Sequence, residues 1–210
     1  MAKAQKLDLY KKHAAEYAAS KTQPAMIDVP PVPYLSVEGR GGPGGPAFEA
    51  KVAAMCGVAF TVKMTRKFAG KGDYKVCHLE GLWWSDAAKG AAGFIDLPRD
   101  QWRWKLLIRV PEFIGHDDVE AARQVLREKS KPPEFEQVGL ERIEEGPCVQ
   151  MLHVGPYANE GQTLDVMRHF AESEGLAFCG RHHEIYLSDP RRVGPERLRT
   201  ILRMPVRSAG

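Results

Sequence analysis

The 210-residue sequence has little net charge, no long apolar run and no paired cysteine motif, and each lack excludes something. Its 30 basic and 27 acidic residues leave a formal charge of +3, and the basic residues are scattered apart from the stretch Arg191 to Arg207. No basic footprint demands a nucleic-acid partner, though the composition does not exclude one. No segment approaches the ~18 consecutive apolar residues of a membrane span, and the start, MAKAQKLDLYKKHAAEYAAS, has no continuous apolar signal core. The cysteines at 56, 77, 148 and 179 form neither a Cys-x-x-Cys pair nor a zinc-finger spacing, which suits reduced thiols. These absences predict a cytoplasmic chain with no membrane partner and no feature that calls for nucleic acid. What is present, 43% hydrophobic and 27% charged residues, fits one globular domain with a real core.

The chain organises into two similar halves. A short helix is expected around Leu7 to Tyr17, followed by a proline-rich extended lead-in, so that residues 1–31 precede the body, which runs from 32 to 210. In the first half (32–110), the strand PYLSVEG ends at a glycine turn before a helix with Phe48, Val52, Met55, Cys56 and Ala59 at helical spacing. In the second (141–207), VQMLHVG leads to a helix marked by Leu164, Met167, Phe170 and Ala171. Tyr74 to Trp84 and Arg181 to Ser188 then read as strands, and QWRWKLLIRV and RTILRMPV close the halves. A connector helix over 117–129 starts with two aspartates suited to a helix N-terminus. The fold class is α+β: duplicated strand-helix-strand-strand halves with antiparallel sheets and pseudo-twofold symmetry.

Gly39-x-Gly41-x-x-Gly44 matches a dinucleotide fingerprint, but no Asp or Glu lies between Glu49 and Asp73 to bind a ribose, and GPYANEG in the second half lacks the pattern. The glycines serve topology, and no cofactor is expected. His78, His153, His182 and His183 with Glu80 and Glu184 supply zinc-type ligands. Adjacent His182 and His183 point oppositely and no helical HExxH occurs, so no metal is expected either.

Strand alternation puts Glu184 and Tyr186 on one face and Ile185 and Leu187 on the other. Packing the aliphatic pair under the helix leaves Glu184 and Tyr186 on the uncovered side of the sheet. The same alternation groups Glu80, Leu82 and Trp84, and one cleft between the halves would receive Glu80, Trp84, Glu184 and Tyr186. A carboxylate among aromatic rings complements a flat, cationic or polarised ligand, or serves as a general base toward water. Against this stands a structural role for Glu184, paired with Arg181 or Arg191, with the tryptophans 83, 84, 102 and 104 filling a core.

KVCHLEGLWW, VQMLHVGPYANEG and HHEIYLSDPRR resemble the GyrI-like small-molecule-binding family, over roughly Val32 to Val206. The resemblance implies a duplicated SHS2-like fold with a ligand cleft between the halves. It carries the family's acidic cleft residue onto Glu184 and its loop tyrosine onto Tyr157. No helix-turn-helix precedes the body, and Gly81-Leu82-Trp83-Trp84 resembles a stand-alone branch that hydrolyses cyclopropane rings of DNA-alkylating natural products. Glu184, Tyr186 and Tyr157 are then the expected catalytic residues, with Trp84, Glu80, Leu82 and Trp104 binding a hydrophobic or cationic aromatic molecule. Non-catalytic drug sensing or sequestration is the alternative. The family's name also raises gyrase as a protein partner, met by a basic C-terminal surface.

Overall fold

The computed structural model describes residues 6–88 and 91–210; the first five residues of the expected lead-in lie outside them. Among the described residues, four α-helices, α1 (Leu9–Lys12), α2 (Pro46–Phe68), α3 (His116–Glu128) and α4 (Glu160–Ser173), accompany nine strands. The strands are β1 (Ala25–Val29), β2 (Val32–Arg40), β3 (Glu80–Trp84), β4 (Arg103–Arg109), β5 (Gly139–Ile143), β6 (Gly146–Val154), β7 (Leu176–Phe178), β8 (His182–Tyr186) and β9 (Arg199–Ser208). They form a sheet in the order β1-β6-β9-β8-β3-β4-β2-β5, with β7 pairing onto β9. Every pairing between these strands is antiparallel. A Rossmann fingerprint requires a parallel unit, so the antiparallel neighbours of β2 dispose of the dinucleotide possibility.

β2-α2-β3-β4 and β6-α4-β8-β9 repeat one order of elements, and the two units meet at the β3–β8 seam. The connecting strands cross over: β1, which precedes β2, pairs with β6, and β5, which precedes β6, pairs with β2. The expected extended lead-in is thus partly a strand of the sheet. β3 is shorter than expected, beginning at Glu80 rather than Tyr74. The backbone before it bonds to the N-terminal segment instead, through Leu7 N–H to Asp73 C=O, Lys75 N–H to Leu7 C=O and His78 N–H to the Tyr10 hydroxyl.

Local chemistry explains the helix ends. Pro46 opens α2 at a position where its missing N–H costs nothing, after glycines 41 and 44 have turned the chain with φ of 94° and 82°. Asp118 caps α3 by accepting from the Gly115 N–H at 3.0 Å, and Val119, Ala122 and Leu126 are buried. Gly39 serves packing, because a Cβ there would overlap the ring of Trp104.

Both long helices lie on one face of the sheet, α2 over β2 and β4, α4 over β6 and β9. Beneath α2, Leu35, Val37, Met55, Val58, Trp104 and Leu106 form the larger core; beneath α4, Val149, Met151, Leu164, Met167 and Leu202 form a second. Each fully buried aliphatic side chain of this kind contributes about 1.5–3 kcal/mol. The opposite face is not open. Tyr17 and Ala19 of the N-terminal segment pack over Leu152, Ile185 and Ile201, and the Ala18 and Ser20 carbonyls accept from the Gln150 side chain and the Leu152 backbone. The central strands β3 and β8 lie between the strands that the two helices cover.

Candidate active site between the two helices

The seam decides which residues share a cleft. Its register pairs Gly81 with Glu184, Leu82 with His183 and Trp83 with His182, and directly paired residues point to the same face. His182, Glu184 and Tyr186 therefore stand with Trp83 on the helix-bearing face, in the trough between α2 and α4. This corrects the expectation that Glu184 and Tyr186 face the side without helices. Ile185 and Leu187 pack beneath the N-terminal segment instead.

The same register removes three expected ligand-binding residues from the trough. Glu80, Leu82 and Trp84 point to the back of the sheet. Glu80 is fully buried and bonds His183 at 3.0 Å. Leu82 packs with Val32, Tyr34 and Leu107, while Trp84 lies under the Arg181 guanidinium, 3.7 Å from the ring centroid. Trp104 does share the face of Trp83, its cross-strand partner, but it is sealed beneath α2 against Phe48. One-residue parity is the cause: Trp83, not Trp84, joins Glu184.

The trough is a relay of donors ending on a carboxylate. Trp83 Nε1–H donates to the Tyr186 hydroxyl at 3.0 Å, and because an indole nitrogen only donates, the tyrosine uses its own proton toward Glu184. Burial and the neighbouring Glu184 charge hold the Tyr186 phenol well above its usual range. His182 Nε2 contacts Glu184 at 3.2 Å, and its Nδ1 faces the Met204 sulfur. Gly81 makes this relay possible, since a Cβ there would come within 2.9 Å of both Trp83 Nε1 and the Tyr186 hydroxyl. Tyr157, in the turn before α4, meets Tyr186 edge-on at 6.0 Å and stays exposed at the rim; burial and Glu184 push its phenol up to about 12.

A residue unmarked in the sequence completes the site. Glu160, first residue of α4, is buried, and single donor atoms of Glu160, His182 and Glu184 all lie within 4.8 Å of one another. Burial, then the Glu184 charge, push the Glu160 carboxyl up to about 10, with Thr200 opposing through a hydrogen bond. The three donors are as close as those of a metal site. A protonated Glu160 bonded to Glu184 accounts for the same proximity by a shared proton. Only the inward turn of Glu160 into the space over β8 could have flagged it, and GPYANEG reads as a loop.

Neither arginine weighed as a structural partner of Glu184 reaches it, since Arg181 stacks on Trp84 and Arg191 pairs with Asp189 at 2.9 Å. Aromatic rings wall the trough: Phe48 stacks on Trp83 at 5.9 Å, Trp83 meets Trp102 at 5.9 Å, Trp102 meets Phe94 at 5.0 Å, and Phe94 meets His182 at 5.8 Å. The basic C-terminal run is not uniformly a surface, because Arg203 is buried.

No functionally curated protein matches the chain. Among solved structures, an uncharacterized conserved protein from Listeria innocua is 38% identical, matching 96% of this chain and 100% of its own with a TM-score of 0.88. A hydrolase from Listeria innocua is 39% identical over 97% of this chain and 100% of its own, at a TM-score of 0.87. The C-terminal domain of EcmrR, 11% identical over 89% of this chain and 98% of its own at a TM-score of 0.58, shares the fold. The model of the GyrI-like small molecule binding domain matches residues 22–207. With almost its whole length matched, the chain belongs to the GyrI-like family of small-molecule-binding domains.

Proposed function

We propose that the trough binds flat, hydrophobic aromatic molecules and opens the strained cyclopropane ring of DNA-alkylating compounds with water. The observation that carries this is Glu184: a carboxylate with no arginine or lysine partner among the described residues, lying between aromatic walls. The likeness to a Listeria innocua protein named a hydrolase, at 39% identity, supports catalysis. We also read the two strand-helix-strand-strand units as SHS2-like copies related by a pseudo-twofold axis at the seam, and the protein as cytoplasmic, in keeping with its four free cysteines.

In this mechanism a water held by Glu184 attacks a ring carbon as Glu184 takes its proton. The breaking C–C bond sends its electron pair through the conjugated system to a carbonyl oxygen. Tyr186 already spends its proton on Glu184, so it positions the base, and Tyr157 at the rim is the donor free to meet the developing oxyanion. Half-buried Trp102 and Tyr157 at the rim supply the stacking surface, with Trp83 and Phe94 buried against Trp102. The second reading, non-catalytic sensing or sequestration of amphipathic cations, draws on the same unbalanced acid. Mass spectrometry of a cyclopropane-containing alkylator separates the two. A water adduct, roughly 18 Da heavier, formed quickly with wild type and not with Glu184→Gln is expected. Binding without any adduct would overturn hydrolysis and leave sequestration.

A further inference from the structure

Among the described residues the trough holds two carboxyl groups and no arginine or lysine to balance them; its one histidine, His182, contacts Glu184. Glu160 enters from α4 and Glu184 from β8, with donor atoms within 4.8 Å of each other and of His182. One oxygen of Glu160 is buried without any hydrogen-bond partner, while Thr200 and Glu184 engage the side chain. Two ionised carboxylates this close and this dry repel strongly, and a proton held by one of them removes the repulsion.

We propose that Glu160 and Glu184 hold one proton between them, and that the trough releases this proton on taking in an aromatic cation but keeps it for a neutral aromatic ligand. The ligand half of this inference rests on the binding site proposed above. A positive charge stacked on Tyr157 above the pair neutralises it in the proton's place, so cation and proton compete. A neutral electrophile leaves the proton where it is, available to the oxygen that gains charge as the ring opens. Glu160 thereby sets the charge preference of the cleft.

The other described groups facing the pair are histidines, tyrosines and an already paired aspartate, with no arginine or lysine aimed at the two carboxyls. From β8 come His182, whose Nε2 already meets Glu184, and Tyr186, whose hydroxyl is bonded to Trp83 and Glu184. Tyr157 faces it from the turn, and His153 of β6 is turned to Thr163 and the Pro156 carbonyl. Asp189 of the following loop is neutralised by Arg191. Burial and Glu184 together hold the Glu160 proton up to a pKa of about 10, well beyond neutral pH.

The test has a ligand-free arm and a ligand arm. Glu160→Gln replaces the protonated acid by a neutral isostere. An unfolded chain releases the Glu160 proton near the ordinary value of 4.5, whereas the folded protein retains it to about 10, so this group's contribution to stability is intact below 4.5 and is lost progressively as pH rises. Urea midpoints of wild type and Glu160→Gln are therefore expected to diverge in favour of the variant between about pH 5 and 9. A gap that stays constant over that range would overturn the shared proton, whatever the protein binds. In the ligand arm, affinities for N-methyl-4-phenylpyridinium and its neutral isostere para-methylbiphenyl are measured at about pH 6, 7 and 8, with calorimetry in buffers of different ionisation enthalpy. Wild type is expected to bind the cation about tenfold more tightly per pH unit with release of about one proton, while the neutral probe, and Glu160→Gln with either probe, show flat profiles. Cation binding without proton release would overturn the exchange. If neither probe binds, the proposed binding site falls together with the ligand half, and the urea series alone judges the proton.

Discussion

Two glutamate–histidine clusters stand back to back across β8, one residue apart in sequence and opposite in chemistry. Behind the sheet, Glu80, Glu145 and Glu16 meet His183, Arg203 and Arg109, three acids and three bases, in contacts such as His183–Glu145 at 2.9 Å, Arg203–Glu145 at 2.9 Å and Arg109–Glu16 at 2.5 Å. Burial opposes the charge of His183, but Glu145 and Glu80 outweigh it and raise its pKa to about 9; burial likewise opposes Glu145, which His183 and Arg203 bring down to about 2. In front, Glu160 and Glu184 have one histidine and, among the described residues, no arginine or lysine partner. A balanced cluster that is shut off from water locks a structure in place. An unbalanced cluster between the two helices is poised for a ligand or a proton.

The comparison breaks most visibly at Arg203. Arg203→Met strands Glu145 and Gln150 in a dry site, with an expected cost of about 3–5 kcal/mol in urea unfolding. Glu184→Gln in front is expected to change stability by less than about 1 kcal/mol while slowing ring opening by about 10²-fold or more in timed mass spectrometry. A stability loss as large as that of Arg203→Met would erase the distinction between the clusters.

The pH response sharpens the contrast. His183 has a raised pKa, so its contribution is complete below 6.5 and fades as pH rises through about 9; Glu145 has a depressed one, so its contribution is complete above 4.5 and fades as pH falls toward about 2. Stability owed to the rear cluster should plateau between these ordinary values, as urea midpoints across pH will show. The smallest effects come from the adjacent tryptophans. Trp83→Phe removes the donor to Tyr186 and is expected to slow ring opening by about tenfold, with Trp84→Leu leaving affinity for the aromatic cation within about twofold. A reversed order would return Trp84 to the cleft.

These tests bear on what a one-dimensional pattern can carry. The alternation of Trp102, Trp104, Leu106 and Ile108 is legible because that face stays apolar along β4, and the helices are legible from apolar spacing and glycine–proline turns. Glu184 stood out as an acid among aromatics. Its face did not, because Ile185 and Leu187 look like a helix-covered pair, yet the helices leave the seam bare and the N-terminal segment covers them. The phasing of β3 against β8 is likewise set in three dimensions, and alternation within β3 alone does not reveal that Trp83, not Trp84, shares the face of Glu184. Glu160 carries no local signal, because its importance comes from Glu184 on a strand distant in sequence.

The crossed edge strands have a further consequence for a severed chain. A protease cutting the exposed stretch around residues 130–132, just beyond α3, would leave one fragment carrying β1 and the other carrying β5, each strand belonging to the other fragment's sheet edge. With the β3–β8 seam between them, the two pieces would be held along three separate strand ladders. Such a nicked protein should run as two bands on a denaturing gel and as one particle in native solution.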